Sequence, residues 1–244
     1  MKKRLDLILV EKKLVATRSK AQAMIMAGQI FVEDKKAIKS GELFNYNSNI
    51  EIKNLGPIWV SRGGIKLSHA IKKFNIEIKN HICMDIGAST GGFTDVLLKF
   101  GAKKIFAVDV GYNQLHEKLK KNNNVINLEK MNARYLDKDK INENIDLIVC
   151  DASFISMKKV LKSCLKFLNE NGKVIALIKP QFEANKNEIK KGGVVKDFKI
   201  HKRICNDITL WFEKDCGFRV EGIIESPIKG PKGNLEYLIF AKKN

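Results

Sequence analysis

Cys83-Met84-Asp85-Ile86-Gly87-Ala88-Ser89-Thr90-Gly91-Gly92-Phe93-Thr94-Asp95 decides the fold of this chain. An apolar strand runs into an acidic residue, then a glycine-rich turn, then an amphipathic helix. Glycine lets the backbone turn tightly and come close to a ligand. The helix beyond offers unpaired N–H groups and the positive end of its dipole. A parallel α/β sheet holds an adenosine-containing cofactor in this way. The spacing is D-x-G-x-x-x-G-G. It is neither the dinucleotide fingerprint G-x-G-x-x-G nor the phosphate loop G-x-x-x-x-G-K-[ST]. Without a phosphate cradle, S-adenosyl-L-methionine suits the turn better than NAD or ATP.

Downstream of residue 62 the chain alternates strands and helices. Strands are expected at 82–86, 104–109, 125–128, 146–151, 173–179, 218–225 and 236–241. Helices are expected at 65–74, 93–100, 114–121, 157–168 and 199–213. Apolar strands alternating with helices give a mostly parallel sheet covered on both faces. The last two strands have little between them and read as a hairpin.

Ligands in such sheets sit beyond the carboxyl ends of the strands. Those ends carry Asp85 and Gly87, then Asp109, then Met131-Asn132-Ala133-Arg134, then Asp151-Ala152-Ser153, then Lys179-Pro180. Asp109 lies 24 residues after Asp85, close to the ~20-residue offset at which an acidic side chain meets a ribose diol. An Asp after a strand is often a turn former or helix cap; these polar strand ends together point to a site. Lys179 closes the apolar run Val174-Ile175-Ala176-Leu177-Ile178. It either snorkels to solvent or pairs with Asp151 at the methyl end of the cofactor, and Pro180 turning the chain away favours the pair.

The 244 residues suit one large and one small domain. Lys plus Arg number 45 against 27 Asp plus Glu, so the net charge is +18. The excess is spread over both parts, with 11 basic and 6 acidic residues up to Gly56 and 34 and 21 beyond it. Such a chain attracts polyanions, nucleic acid before an anionic membrane surface. Five cysteines without C-x-x-C spacing argue against a disulfide framework. His69, His81, His116 and His201 have no metal-ligand spacing. No signal h-region and no apolar run of ~20 residues is present, so the chain reads as cytoplasmic.

Residues 4–27 place Leu5, Ile8 and Leu9 on one helical stripe and Ala21, Met24 and Ile25 on another. Thr17 is positioned to cap the second helix and Gly28 to end it. Ile30–Val32 and Ile50–Ile52 read as short strands around a polar turn at 33–36. Asn54-Leu55-Gly56-Pro57 breaks regular structure. The expected division is 1–56, a linker at 57–62 and 63–244, with Trp59 packing between the parts.

The N-terminal pattern resembles the S4-like RNA-binding domain, carried by Arg4-Leu5-Asp6, Leu9, Arg18-Ser19, Ala21, Ile25, Gly28, Ile30 and Val32. The resemblance implies RNA contacts from Arg4, Arg18, Ser19 and Lys20. The plainer reading of Arg18 and Lys20 is solvated charge at a helix start.

Over nearly its full length the chain is similar to the TlyA family, S4-fused relatives of FtsJ-type RNA 2′-O-methyltransferases. The similarity is carried by 59–67 (WVSRGGIKL), 85–95 (DIGASTGGFTD), 108–111 (VDVG), 151–156 (DASFIS), 178–183 (IKPQFE), 192–195 (GGVV) and 226–236 (SPIKGPKGNLE). It implies an α/β fold, a Rossmann-like class I methyltransferase with a seven-stranded, mostly parallel sheet plus a small N-terminal α+β S4-like RNA-binding domain. It also implies methylation of cytidine 2′-hydroxyls in ribosomal RNA. The short N-terminal segment resembles the subgroup acting on the large subunit. The family's Lys-Asp-Lys-Glu tetrad falls on Lys66, Asp151, Lys179 and Glu236. Cofactor contacts are expected from Asp85, Gly87, Ala88, Ser89, Thr90, Gly91, Gly92, Phe93, Asp109, Val110, Asn132, Ala133 and Asp151, and RNA contacts also from Arg62. Ribosomal RNA or subunits are the implied partners, with no membrane, no metal and no obligate protein partner. Some family members carry a haemolysin label, so a membrane-active protein is the competing reading. It needs a long apolar or strongly amphipathic segment.

Overall fold

The computed structural model describes residues 2–26, 28–52 and 59–244. The expected break at 54–57 and the position of Ala27 lie outside the described residues. Two compact units result, Met1–Ile58 and Trp59–Asn244.

The small unit contains β1 (Lys2–Arg4), α1 (Leu5–Glu11), α2 (Arg18–Met26), β2 (Ile30–Val32), β3 (Lys35–Lys36), β4 (Leu43–Asn45) and β5 (Ile50–Ile52). Leu5, Leu9, Ala21, Ile25, Ile30 and Val32 form its core, the residues whose spacing predicts two helices and a strand. The Thr17 hydroxyl caps α2 by accepting from the Lys20 N–H at 3.2 Å. Two pairings have no sequence signal. β1 pairs with β4, and half of the expected polar turn forms β3 against β2. These strands are two or three residues long and mostly charged or exposed, so no alternation of apolar residues marks them.

The large unit runs α3 (Gly63–Lys73), β6 (Ile82–Ile86), α4 (Gly92–Lys99), β7 (Lys104–Val108), α5 (Glu117–Lys120), β8 (Val125–Leu128), β9 (Ile145–Cys150), α6 (Met157–Cys164), β10 (Leu168–Ile178), α7 (Pro180–Glu183), α8 (Phe198–Leu210), β11 (Phe218–Glu225) and β12 (Tyr237–Lys243). Its sheet order is β11-β12-β10-β9-β6-β7-β8. β10, β9, β6, β7 and β8 are parallel neighbours. β12 and β11 are antiparallel, the expected hairpin. Apolar clusters cover both faces, one around Ile148, Val174 and Ile239, the other around Leu67, Val96 and Leu177. Two helices are shorter than expected. His116 caps α5 by accepting from the Lys118 N–H. α6 gives way to a 3-10 turn at Leu165–Phe167 so that β10 starts at Leu168.

Trp59–Arg62, expected in the linker, makes its described contacts within the large unit. Trp59 packs on the cluster of α3 and α4, with the Lys99 ammonium 4.5 Å from its ring centroid. The Val60 N–H donates to Asp95 at 2.9 Å.

Candidate active site

Sheet register assembles the site. Ile178 pairs with Tyr237, which sets Lys179 and Glu236 at the same end of adjacent strands. Ala176 pairs with Cys150, so the chain beyond β9 delivers Asp151 and Ser153 beside Lys179. Lys66 comes from the second turn of α3. The four tetrad residues lie far apart in sequence and form one connected row. Lys66 Nζ is 2.6 Å from Glu236 Oε2 and 3.9 Å from Asp151 Oδ2. Lys179 Nζ is 2.5 Å from Asp151 Oδ1 and 2.7 Å from Ser153 Oγ. Lys66, Lys179 and Glu236 are buried. Buried ions persist only when paired and hydrogen-bonded, and alternation of amines and acids satisfies that here. Within the tetrad, Glu236 Oε1 and Asp151 Oδ1 have no hydrogen-bond partner among the described residues, Asp151 Oδ1 meeting Lys179 as an ion pair.

Two cavities meet over the glycine turn and share Gly87, Ser89 and Asp151. The first is about 420 Å³, walled by Ile86, Val108, Met131 and Ile155, with Asp109 and Asn132 as polar groups. The second is about 430 Å³ and exposes Lys66, Phe93 and Lys229. Gly87 has φ +79, and a Cβ there would meet the Asp151 carbonyl at 3.0 Å. A Cβ on Gly92 would meet Ser61 Oγ at 2.2 Å and the Gly64 backbone nitrogen at 3.0 Å. Ser89 itself takes a left-handed conformation, φ 48; its N–H donates to Asp109 Oδ2 at 2.7 Å, and the Gly111 N–H donates to Asp109 Oδ1 at 2.7 Å. A carboxylate has about four lone-pair sites, so Asp109 keeps acceptor capacity toward the cavity.

The first cavity fits an adenosine-bearing cofactor. Its size falls within the range of small-molecule sites, its walls are apolar, and Asp109 and Asn132 bring a carboxylate and an amide to its lining. The Asn132 carbonyl oxygen caps the following turn by accepting from the Arg134 N–H at 3.1 Å, which leaves its amide N–H groups for a ligand.

Not every expected cofactor contact reaches a cavity. Val110 and Ala133 line the first, Ala88, Thr90, Gly92 and Phe93 the second. Asp85 lines neither. It is fully buried beneath the turn and accepts from the Thr94 hydroxyl at 2.7 Å. Burial pushes its carboxyl up to about 7, the Thr94 hydrogen bonds opposing this and the charges of Asp151 and Asp109 adding to it. Gly91 faces Leu115 and Leu119, which gives it a packing role. Arg62 lines the second cavity and donates to the Lys229 carbonyl at 3.2 Å.

Three contributors have little or no sequence signal as site residues. Ser153 contacts Lys179. Phe154 is 91 % exposed at φ 65 and rests 5.4 Å from the Phe182 ring. Glu183 accepts from Ser156 Oγ at 2.7 Å and the Met157 N–H at 2.6 Å, which caps α6 and ties the loop after β9 to the loop after β10. A large exposed apolar residue inside a polar strand end is the one clue that singles out Phe154.

In the small unit Arg4 and Arg18 both bind the buried Asp6. Arg4 Nε donates to Asp6 Oδ1 at 3.0 Å, and Arg18 Nε to Oδ2 at 2.9 Å. Ser19 and Lys20 are exposed on the first turn of α2.

A parallel sheet of this order, with a nucleoside-sized cavity over a glycine turn and a Lys-Asp-Lys-Glu row beside it, defines an S-adenosylmethionine-dependent methyltransferase. Residues 59–243 match the FtsJ-like methyltransferase family and residues 3–42 the S4 domain. The chain belongs to the FtsJ-like methyltransferases with an S4 domain, the TlyA family. It is 44 % identical to Hemolysin A of Brachyspira hyodysenteriae over 96 % of this chain and 98 % of that protein. It is 36 % identical to the 16S/23S rRNA (cytidine-2′-O)-methyltransferase TlyA of Mycobacterium tuberculosis, over 98 % and 89 %. A solved structure from Streptococcus thermophilus, described as a hemolysin, is 39 % identical with a TM-score of 0.74, covering 100 % of this chain and 89 % of that one.

Proposed function

We propose that this protein transfers a methyl group from S-adenosylmethionine to cytidine 2′-hydroxyls of ribosomal RNA in the cytoplasm. The observation that carries the reading is the buried row Glu236–Lys66–Asp151–Lys179 opening onto two adjoining cavities. The relatives named as rRNA cytidine-2′-O-methyltransferases support the substrate.

S-adenosylmethionine, when bound, supplies an electrophilic methyl group on a sulfonium. Asp109, Asn132, Ala133 and the turn 87–92 would hold it. Alignment of the reacting groups is worth roughly 7–11 kcal/mol of barrier, and the tetrad supplies that alignment on the chain's side. Lys179 already donates to Asp151 and Ser153, so in this arrangement its ammonium orients the acceptor oxygen. Acting as the base requires that it first lose its own proton. Lys66, held between Glu236 and Asp151, fixes the Asp151 carboxylate. Phe154 offers an exposed aromatic face on which an unstacked base can rest. Arg4, Arg18, Ser19, Lys20 and Arg62 contact RNA in this reading. The guanidinium edges of Arg4 and Arg18 that face away from Asp6 are free to meet phosphate.

The test is transfer of tritiated methyl to isolated ribosomal subunits, with nucleoside analysis. The product is 2′-O-methylcytidine, and RNA affinity falls by about three decades between low and moderate salt if six phosphates are neutralised. Label appearing on a base carbon or nitrogen, or salt-independent RNA binding, overturns the reading. The membrane-active alternative gains nothing from the structure: no helix among the described residues is long and apolar enough to cross a membrane.

A further inference from the structure

We propose that Ser153 is a positioning residue for methyl transfer, the second short acceptor that, with Asp151, fixes the direction of the Lys179 ammonium. The inference rests on the tetrad reading above and adds a fifth member to it.

A lysine ammonium has three N–H donors and no acceptor. Around Lys179 Nζ stand three oxygens: Asp151 Oδ1 at 2.5 Å, Ser153 Oγ at 2.7 Å and the Asp151 carbonyl at 3.4 Å. The Ser153 contact is a short hydrogen bond, the Asp151 Oδ1 contact a close ion pair, and the Asp151 carbonyl is at the limit of a hydrogen bond. An ammonium held by one short contact rotates freely about it. A second short contact stops the rotation and leaves the third, weakly held N–H for an incoming oxygen. Ser153 lines the first cavity, whereas Lys179 is 7 % exposed. The serine therefore stands between the buried amine and the cavity assigned to the cofactor.

The loop that carries Ser153 is held independently of that hydroxyl. Phe154, at φ 65, reverses the chain directly after it and packs on Phe182, which follows Lys179 by three residues. Glu183 bonds Ser156 and Met157 on the far side. Removing the Ser153 oxygen thus takes an acceptor from Lys179 and leaves the loop anchored at two other points.

The experiment compares wild type, Ser153→Ala, Ser153→Thr and Lys179→Ala in the full chain. Single-turnover methylation of ribosomal subunits, subunit KM, and cofactor Kd by calorimetry are measured. Ser153→Ala slows the single-turnover rate about tenfold while KM and Kd stay within about twofold, the pattern of an interaction that acts in the transition state. Ser153→Thr, which restores a hydroxyl at the same place, recovers the rate to within about threefold of wild type. A Ser153→Ala rate within twofold of wild type overturns the inference. So does a loss carried by cofactor affinity, or one that threonine fails to recover. Lys179→Ala separates the two readings: if it turns over normally the tetrad reading itself fails, and if it is inactive while Ser153→Ala is normal only the role of Ser153 is rejected.

Discussion

In the small unit the Asp6 carboxylate is 0 % exposed and accepts from Arg4 through two nitrogens, from Arg18 and from Gln22, every bond at 2.9 or 3.0 Å. In the large unit the Asp85 carboxylate is equally buried. There Oδ2 accepts from Thr94, and Oδ1 has no partner among the described residues. The two groups titrate in opposite directions. The Arg4 hydrogen bonds, with those of Gln22 and Arg18 and the Arg18 charge, hold Asp6 well below the usual carboxylate range against the cost of burial. Burial takes Asp85 the other way, to about 7. A saturated charge makes a structural clasp. An acid left half-satisfied beneath a cofactor turn, with Asp109 and Asp151 above it, is a cost that the surrounding fold tolerates at its site.

That contrast can be broken at several points. The largest effect belongs to the tetrad, where charge is both buried and open to a cavity. Lys179→Ala lowers methyl transfer by about three decades or more, with cofactor affinity retained; normal turnover removes Lys179 from the mechanism. Next is the clasp. Asp6→Ala leaves Arg4 and Arg18 without their shared partner and lowers the thermal midpoint of the small unit by about 5–10 °C, the transition of the large unit staying in place. Equal shifts in both transitions would show that the clasp serves more than its own unit.

The two carboxylates also predict opposite pH windows. Asp6 has a depressed folded pKa, so its contribution is present above the unfolded carboxylate range near 4 and is lost only as pH falls well below it. Asp85 has a raised folded pKa. Its contribution is complete below about 4 and fades as pH rises through about 7. Asp85→Asn should accordingly stabilise the large unit more at pH 8 than at pH 5, and calorimetric scans at the two pH values check the sign. The smallest effect is expected at the surface. Arg62→Gln weakens RNA binding a few-fold and lowers the salt slope by about one if Arg62 meets a phosphate; an unchanged slope would confine it to its bond with the Lys229 carbonyl.

Much of this was legible before any coordinates. The run Cys83–Asp95 specifies strand, turn and helix because glycine spacing and apolar periodicity are local properties of the chain. The polar strand ends pointed to Asp109, Asn132, Asp151 and Lys179 because parallel strands put their carboxyl ends on one edge. The clasp was not legible: Arg4 and Arg18 carried RNA-binding positions in the S4-like pattern, and nothing local says that both also turn inward to Asp6.

Composition, periodicity and motif spacing by themselves determined the two-part organisation, the parallel sheet and a glycine turn suited to S-adenosylmethionine; the resemblance of the motifs to the TlyA family added the methyltransferase class. Tertiary structure alone decided that Ser153 joins Asp151 around Lys179, that Asp85 lies under the turn instead of in the cavity, and that Phe154 stands in solvent. The physical reason is range. Turn and helix preferences act over a few residues, whereas a lysine's hydrogen bonds are chosen by strand register and by loops closing from elsewhere in the chain.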